Sequence, residues 1–598
     1  MRTRRFLLLP LLALACSHAP APAEAPAADP TAAIRALADS HAQGLLRLDP
    51  LLATMVGDHR YDDRLPDTLT DAGIAATRKL NEDTRAQLQR IPRAALSGED
   101  ALTWEVLDDM TRTALDGLAF GDPLIPLDHN NALAIQMPVL GSGEGMHPFQ
   151  TVADYDHFLA RIGAFDQWVN AAIANMRRGI SAGYTQPKVV IQRAIPQLEA
   201  QIVARPEDSA FWGPITRMPS GFSPADRERL TAAYRQAISG TLVPAYRRLR
   251  DFARDTYLPA CRTTTAAEAL PDGVARYAYL VRSQTTSTLT PHQIHELGLS
   301  EVKRISGEIE RIAREQGFQG TAAEYIVMLR KSPADPAHDA SELLARYQRF
   351  KATVEPKLPT LFSRLPKADF EVRLIEPYRE ASASSQYTPA TLDGSRAGVF
   401  YVNASELKHR PISASAALFL HEALPGHHFQ IALTNENAAL PLLRRIAQYN
   451  AYIEGWGLYA ETLGGPLGLY QTTYATVGGL AAELLRAVRL VSDTGLHHEG
   501  WSRDRAVQYG LQATGFTQAS VEREVDRYIG SPAQALGYKV GQLSILALRK
   551  KAESALGSRF DLRAFHDAVL ESGPLPLALL ETKMAAWTAE RSKVARRQ

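Results

Sequence analysis

The sequence predicts a mainly α-helical protein with a small β-sheet, folded into two lobes that meet around residues 413–500. Apolar residues recur at helical spacing between charged residues over most of the chain, whereas only two short segments are β-rich and flanked by turn residues. Of the 598 residues, 45% are hydrophobic and 22% are charged, which is typical of a globular protein with a substantial core.

The predicted helices are separated by clusters of proline and glycine. Helical periodicity covers residues 31–119, 151–178, 188–204, 225–257 and 292–316. Ser223-Pro224 and Thr290-Pro291 are typical of helix starts, because serine or threonine can cap a helix and proline is tolerated at its first position.

One long segment interrupts the helical pattern. Residues 121–148 contain four prolines and four glycines, which predicts a long ordered loop. His129 and His147 could line a cleft there, although capping a turn is the more ordinary role for each.

The strand candidates are residues 370–376 and 398–403. The second, GVFYVN, is rich in β-branched and aromatic residues. Residues 399–403 are a candidate edge on which an extended peptide could pair backbone to backbone.

The N-terminus has the pattern of an export signal. Three arginines among the first five residues precede the apolar run 6–14, which is too short to span about 30 Å of hydrocarbon. Residues 1–15 are expected to be a lipoprotein signal, with Cys16 lipidated and residues 16–30 forming an Ala/Pro-rich tether. Ser17 is typical of lipoproteins sent to the outer membrane; an ordinary signal that discards Cys16 is the alternative.

Beyond the tether, the sequence predicts a helical N-terminal lobe at 31–412, with the sheet near 370–403, and a helical C-terminal lobe at 413–598. The net charge is +1, from 66 basic and 65 acidic residues, so there is no bulk electrostatic case for nucleic-acid binding. If Cys16 is lipidated, Cys261 is the only free cysteine and no intrachain disulfide can form.

The chemistry concentrates in residues 417–430, ALFLHEALPGHHFQ. Adjacent His421 and Glu422 with a histidine downstream are parts of a zinc hydrolase site. On a straight helix, however, His427 would be about 120° off the face of His421, and His428 would lie about 10.5 Å further along the axis. Nitrogen ligands of one zinc, each at about 2.0–2.1 Å, cannot be more than about 4 Å apart.

Pro425-Gly426 can resolve this conflict. Proline removes a backbone donor and glycine adopts unusual dihedral angles, so residues looped out at 424–426 could return His427 to His421. In the competing interpretation, Pro-Gly simply ends a helix and the histidines are incidental turn residues.

A third ligand is available in residues 454–461, EGWGLYAE. Glu454 and Glu461 are seven residues apart and share a helix face. One could bind a metal while the other orients a ligand histidine. Burying two carboxylates on an apolar and aromatic helix is costly unless they are paired or bound to metal.

The segments 421–427 and 454–461 together resemble the two signatures of the DUF885 proteins, which in turn resemble gluzincin-type zinc metallopeptidases. Residues 398–403, 493–502 and 532–541 share the resemblance, which extends over nearly all of the mature chain. It implies a gluzincin-like metallopeptidase with an active-site cleft and one zinc ion per chain, held by His421, His427 and Glu454, with His428 as the alternative second histidine.

The resemblance also implies catalytic roles. Glu422, beside the first ligand, would act as general base on the zinc-bound water. The oxyanion needs a further donor, for which His497 is the first candidate and Tyr538 the second. His497 could instead be a buried structural histidine. Arg489 and Asp493, four residues apart, are expected to form a structural ion pair.

The leading hypothesis is a zinc peptidase that acts on peptides in the cell envelope, anchored at the periplasmic face, on the outer membrane, by a lipid on Cys16. Zinc is favoured by ligand type over manganese or cobalt. The alternatives are an amidase or esterase on a non-peptide substrate, and a non-catalytic peptide-binding lipoprotein. Glu422 argues against the last, because a purely structural zinc has no use for a free general base. The sequence does not specify an oligomeric state.

Overall fold

A computed structural model describes residues 29–331, 337–375, 384–404, 407 and 415–594. The protein is mainly α-helical with one three-stranded sheet, as the sequence predicts. Cys16 and the proposed signal lie outside the described residues.

The helices of the first half cover most of the predicted helical segments. They are α1 Pro30–Leu48, α2 Pro50–Val56, α3 Asp71–Leu88, α4 Gly98–Gly117, α5 Leu133–Gly141, α6 Val152–Ala182, α7 Lys188–Glu199, α8 Gly213–Thr216, α9 Pro224–Ala237, α10 Val243–Phe252, α11 Leu258–Ala260, α12 Gly273–Thr285, α13 Pro291–Glu315, α14 Ala322–Lys331 and α15 Ala340–Val354.

The sheet and the remaining helices follow. They are β1 Phe370–Leu374, β2 Gln386–Thr388, β3 Gly398–Val402, α16 Ser415–Glu422, α17 His427–Glu436, α18 Leu442–Ile446, α19 Asn450–Glu461, α20 Thr473–His497, α21 Arg503–Thr514, α22 Gln518–Gly530, α23 Leu536–Leu556, α24 Leu562–Leu570 and α25 Leu577–Val594.

Two helix starts have the predicted caps. The Ser223 side chain accepts a hydrogen bond from the Asp226 backbone at the start of α9. Thr290 and Gln293 form a reciprocal capping box at the start of α13. These local signals therefore fix both boundaries.

The prediction of a loop over 121–148 is wrong in part, because α5 lies within it and contains Pro138. Leu133, Ala134, Met137 and Leu140 of this helix are buried in an apolar core with α6, α7 and α10. An interior proline costs about 3 kcal/mol, whereas each large apolar side chain gains about 1.5–3 kcal/mol on burial. Packing therefore outweighs the proline.

The sheet has the order β1-β3-β2, with β1 parallel and β2 antiparallel to the central β3. Residues 399–401 pair with β1 on one side and with β2 on the other, so the predicted free edge at 399–403 is not present and this prediction is wrong. The missed strand β2, only three residues long, forms one edge of the sheet and lies against α16 through a hydrogen bond from the Tyr387 backbone to Glu422.

Helices α19 and α23 cross with their backbones in contact. A Cβ on Gly455 would lie 2.5 Å from the Cα of Gly541, and a Cβ on Gly541 would overlap the carbonyl oxygen of Ala451. Only glycine permits this approach. The contact positions α19, which carries Glu454 and Glu461, against α23, which carries Tyr538.

Gly541→Ala is therefore expected to destabilise the protein by about 1–3 kcal/mol, because overpacking forces the two helices apart. Gly307→Ala on α13 is the matched control: it has open space around its Cβ position and should be neutral or stabilising by about 0.4–1 kcal/mol. Thermal unfolding of both variants measures the difference. Equal stability of the two variants would contradict the packing assignment.

Candidate metal centre

The helix that carries His421 ends immediately after it. Helix α16 stops at Glu422, the Leu424–Pro425 peptide bond is cis, and a new helix, α17, begins at His427. A Cβ on Gly426 would overlap the carbonyl oxygens of Leu420 and His421, so glycine is required at this turn. The turn places the rings of His421 and His427 with centroids 4.7 Å apart and nearly perpendicular, at 82°.

Glu454 of α19 completes a compact cluster with these two histidines. Its Oε2 lies 3.2 Å from Nε2 of His421 and 3.2 Å from Nε2 of His427. One ligand atom from each of the three residues lies within 4.8 Å of the others. The structure therefore brings together the three residues predicted to bind metal.

The electrostatics of the cluster reflect a carboxylate enclosed by imidazoles. Burial opposes ionisation of Glu454, but the two histidines hold its pKa well below the usual range. Burial alone would lower the pKa of His421, whereas hydrogen bonds to Glu454 and Glu461 raise it to about 9. The site thus stabilises a positive charge next to Glu454.

The donor set fits a divalent metal. Two imidazoles and one carboxylate with an open side are typical of catalytic zinc, whose ligand bonds of about 2.0–2.2 Å place neighbouring ligand atoms at separations close to the 3.2 Å seen here. Nδ1 of His427 is buried and has no partner among the described residues. In both His421 and His427 it is Nε2 that faces Glu454, so these two atoms are the nitrogens that could bind a metal.

Glu461 orients His421 from the opposite side. Nδ1 of His421 donates to Oε1 of Glu461 at 2.9 Å, which directs Nε2 towards Glu454. Arg486 of α20 lies 2.9 Å from the same oxygen. Of the two glutamates on this helix face, Glu454 lies in the cluster and Glu461 supports it.

Glu422 is buried beside the cluster but is not part of it. The Tyr387 backbone N–H donates to its Oε2 at 2.9 Å, and the residue lines the central cavity. Burial raises its pKa. A carboxylate in this position can exchange a proton with a ligand in the cavity.

His428 points away from the cluster. Its Nδ1 is 2.9 Å from the Tyr387 hydroxyl, and its ring packs on Phe370 with centroids 4.6 Å apart. Burial lowers its pKa to about 4. The structure therefore places His427, not His428, beside His421.

The two oxyanion candidates differ in position. The Tyr538 ring lies parallel to His421, with centroids 6.0 Å apart, and lines the cavity. His497 is buried; its Nδ1 accepts from the Ala267 backbone and its Nε2 donates to the Tyr528 carbonyl. Burial lowers its pKa to about 3. Both ring nitrogens of His497 therefore form hydrogen bonds with the backbone, which is what the alternative interpretation of a buried structural histidine expects.

Arg489 and Asp493 do not pair with each other, so the predicted ion pair is wrong. Arg489 binds Glu524 at 3.0 Å, whereas Asp493 accepts from the Tyr277 hydroxyl and the Ala533 backbone. The i,i+4 spacing permits a contact, but stronger partners on neighbouring elements take both side chains.

A cavity of about 970 Å³ opens in front of the cluster. It is lined by residues of α5, α7, the loop at 129–131, β2, α16, α17, α19, α20, α22 and α23. Tyr387, Arg486 and Arg527 are among the cavity residues that were not singled out from the sequence. Only their buried or cleft positions distinguish them from ordinary surface residues, and a single sequence carries no signal for that.

The fold and the cluster define a helical protein with a His₂Glu candidate metal centre at a large cavity. The chain belongs to the family described as "Bacterial protein of unknown function (DUF885)", which matches residues 50–584. The predicted family membership is confirmed.

Two solved structures have the same fold. "The putative lipoprotein from Colwellia psychrerythraea" is 29% identical, with a TM-score of 0.86 over 94% of this chain and 100% of its own. "A putative lipoprotein of unknown function from Shewanella oneidensis" is 17% identical, with a TM-score of 0.67 over 92% and 99%.

No curated protein matches the chain. Within the described residues, none of the helices combines the length and apolar character needed to cross a membrane.

Proposed function

We propose that this protein is a zinc-dependent peptidase of the gluzincin type, with His421, His427 and Glu454 as metal ligands. The cluster of three ligand atoms within 4.8 Å, with a separate buried glutamate next to it, carries the proposal. A structural zinc site would be closed by a fourth protein ligand, whereas this cluster faces a cavity.

Each residue has a defined task in this proposal. Zinc, when bound, would polarise the scissile carbonyl and lower the pKa of a water molecule to about 7. Glu422 accepts a proton from the attacking water and transfers it to the leaving amine. The Tyr387 backbone N–H holds the Glu422 carboxylate in place, and the Tyr538 hydroxyl is the candidate donor to the oxyanion.

The cavity supports a peptide as substrate. Its volume of about 970 Å³ is at the upper end of the range for small-ligand pockets, so several residues of an extended chain can enter. Apolar side chains such as Leu133 and Met137 line it together with polar groups such as Gln197 and Gln534. This mixture suits a peptide backbone with apolar side chains.

The test of this proposal is a peptide-library cleavage profile of the purified protein with and without a chelator. We expect cleavage that disappears on chelation and returns when zinc is added. If peptides are cleaved again after zinc is added, the protein is a peptidase; an esterase or an amidase for non-peptide substrates would leave the peptides intact. An inactive protein with one zinc per chain would refute the proposal.

We also propose that the protein is an exported lipoprotein held at the bacterial envelope by a lipid on Cys16. The basic, apolar and small-residue pattern of residues 1–16 supports this, as does the description of the Colwellia psychrerythraea structure.

Radioactive palmitate is expected to label the full-length protein expressed in bacteria, and Cys16→Ser is expected to abolish the label. Cys261 is buried, so Cys261→Ser is the matched control and should keep the label. Equal labelling of the Cys16→Ser variant would show that the lipid is not on this residue. Membrane fractionation of the same strains reports on anchoring.

A further inference from the structure

A second charged group lines the cavity beyond the metal cluster. It consists of Arg489 of α20 with Glu524 and Arg527 of α22, and all three residues line the cavity. Arg489 is bound to Glu524 at 3.0 Å, and the Tyr528 hydroxyl donates to the same carboxylate. Both contacts are made to Oε2 of Glu524, whereas its Oε1 faces Arg527.

Arg527 is the less satisfied of the two arginines. Its distance to Glu524 is 3.7 Å, and its Nη2 donates to two neutral acceptors, Gln534 Oε1 at 2.6 Å and the Tyr538 hydroxyl at 3.1 Å. Its side chain is 28% exposed, against 7% for Arg489. A guanidinium held mainly by neutral groups retains most of its capacity to bind an anion.

The charges that line the cavity leave one excess positive charge here. Arg486 is neutralised by Glu461. Glu454 belongs to the metal cluster and Glu422 lies beside it, so their two negative charges would balance the charge of a divalent ion. What remains is two arginines against the single carboxylate of Glu524. The Arg489, Glu524 and Arg527 side chains are between 7% and 28% exposed, so this excess charge is screened less than a fully exposed surface charge would be.

Tyr538 connects this group to the cluster. One face of its ring lies parallel to His421 at 6.0 Å, and the guanidinium of Arg489 lies 4.6 Å from the ring centroid. Its hydroxyl contacts Arg527. The Tyr538 ring therefore separates the guanidinium of Arg527 from the proposed metal ligand His421. About two to three residues of an extended peptide, at about 3.3–3.6 Å each, can span this separation.

Resting on the function proposed above, we propose that Arg527 binds a carboxylate of the substrate within about three residues of the scissile bond. The planar fork of arginine matches a carboxylate in a bidentate geometry, and an anion here would remove the excess charge. The carboxylate can be the C-terminal group of a peptide or an aspartate or glutamate side chain. In the first case the enzyme removes short C-terminal fragments.

The test uses the zinc-loaded full-length protein and N-acetylated hexapeptide libraries. One library has free C-terminal carboxylates and its counterpart is amidated; each is divided into pools with and without Asp and Glu. The variants are Arg527→Gln, Arg527→Lys and, as control, Arg503→Gln. Arg503 also pairs with a carboxylate of α22, Asp526, but does not line the cavity.

We expect the wild type and the control to prefer carboxylate-bearing pools by at least about tenfold in kcat/KM, and Arg527→Gln to abolish most of that ratio. Arg527→Lys should retain part of it, because it keeps the charge but not the fork. If the free C-terminus raises kcat/KM, the bound carboxylate is the terminal group. If the presence of Asp and Glu raises it, the bound carboxylate is a side chain. A wild-type ratio of one, or an unchanged ratio in Arg527→Gln, would overturn the inference.

Binding of the same pools to Glu422→Gln and to Glu422→Gln/Arg527→Gln separates this inference from the proposed function. If no peptide is cleaved by the wild type, the peptidase proposal fails. The carboxylate preference is still measured as the ratio of dissociation constants between carboxylate-free and carboxylate-bearing pools, which should exceed one in Glu422→Gln and fall towards one in Glu422→Gln/Arg527→Gln. Equal constants for all pools in the Glu422→Gln protein, with and without a C-terminal carboxylate and with and without Asp and Glu, would then refute the inference independently.

Discussion

Glu422→Gln is expected to reduce peptide hydrolysis by about 10²–10⁴-fold while the protein keeps its zinc. The amide has nearly the same shape and can still accept the hydrogen bond from the Tyr387 backbone. It cannot, however, accept a proton from water. Initial rates on library peptides and metal analysis of the same sample measure the two properties together.

The matched control for this change is Glu315→Gln at the exposed end of α13, where the side chain forms a surface pair with Arg311. Surface pairs of this kind contribute little, so both activity and stability should stay close to wild type. A Glu422→Gln variant with wild-type rates would show that another group removes the proton. Loss of zinc in that variant would instead place Glu422 among the ligands.

Glu454→Gln is expected to weaken zinc binding by more than about 100-fold, because loss of a supporting residue alone costs 10–100-fold in affinity. It replaces the carboxylate that lies 3.2 Å from both histidines. In the wild type, zinc at 100 times its dissociation constant should stabilise the native state by about 2.7 kcal/mol. Thermal unfolding with and without zinc should therefore show a clear shift in the wild type and, at the same zinc concentration, a stabilisation of no more than about 0.4 kcal/mol in Glu454→Gln.

Glu461→Gln provides the graded comparison. It leaves all three ligands in place but weakens the hydrogen bond that orients His421, so the loss of zinc affinity should be about 10–100-fold. Equal zinc affinities for Glu454→Gln and Glu461→Gln would contradict their different positions. A wild type whose unfolding temperature does not respond to zinc would refute the metal site itself.

The sequence was sufficient for much of the local structure. Caps such as Ser223 and Thr290 set helix boundaries through contacts within three residues, and these are visible in a single sequence. The rotation of an α-helix was enough to show that an unbroken helix cannot bring His427 to His421, and Pro425-Gly426 was the place where the helix could be interrupted. Two glutamates seven residues apart indicated a ligand and its support, although not which was which.

Contacts between segments that are distant in the chain could not be predicted from the sequence. The helix α5 forms in spite of Pro138 because its apolar side chains fill a core built from residues far along the chain. Strand β2 is too short to have a recognisable pattern and exists because β3 pairs with it. His497 was a candidate oxyanion donor by its chemistry, but backbone partners occupy both of its ring nitrogens. Asp493 was expected to pair with Arg489, but it accepts instead from the Tyr277 hydroxyl and the Ala533 backbone.

The glycine contact between α19 and α23 has a consequence for how this protein can diverge from its relatives. It joins Glu454, Glu461 and Tyr538 into one block whose internal spacing cannot change without opening the helix crossing. The part of the cavity lining that comes from α5, α7 and residues 129–131 carries none of the three proposed metal ligands. We therefore expect changes of substrate preference within the family to accumulate in that part of the lining, while the α19–α23 block remains fixed.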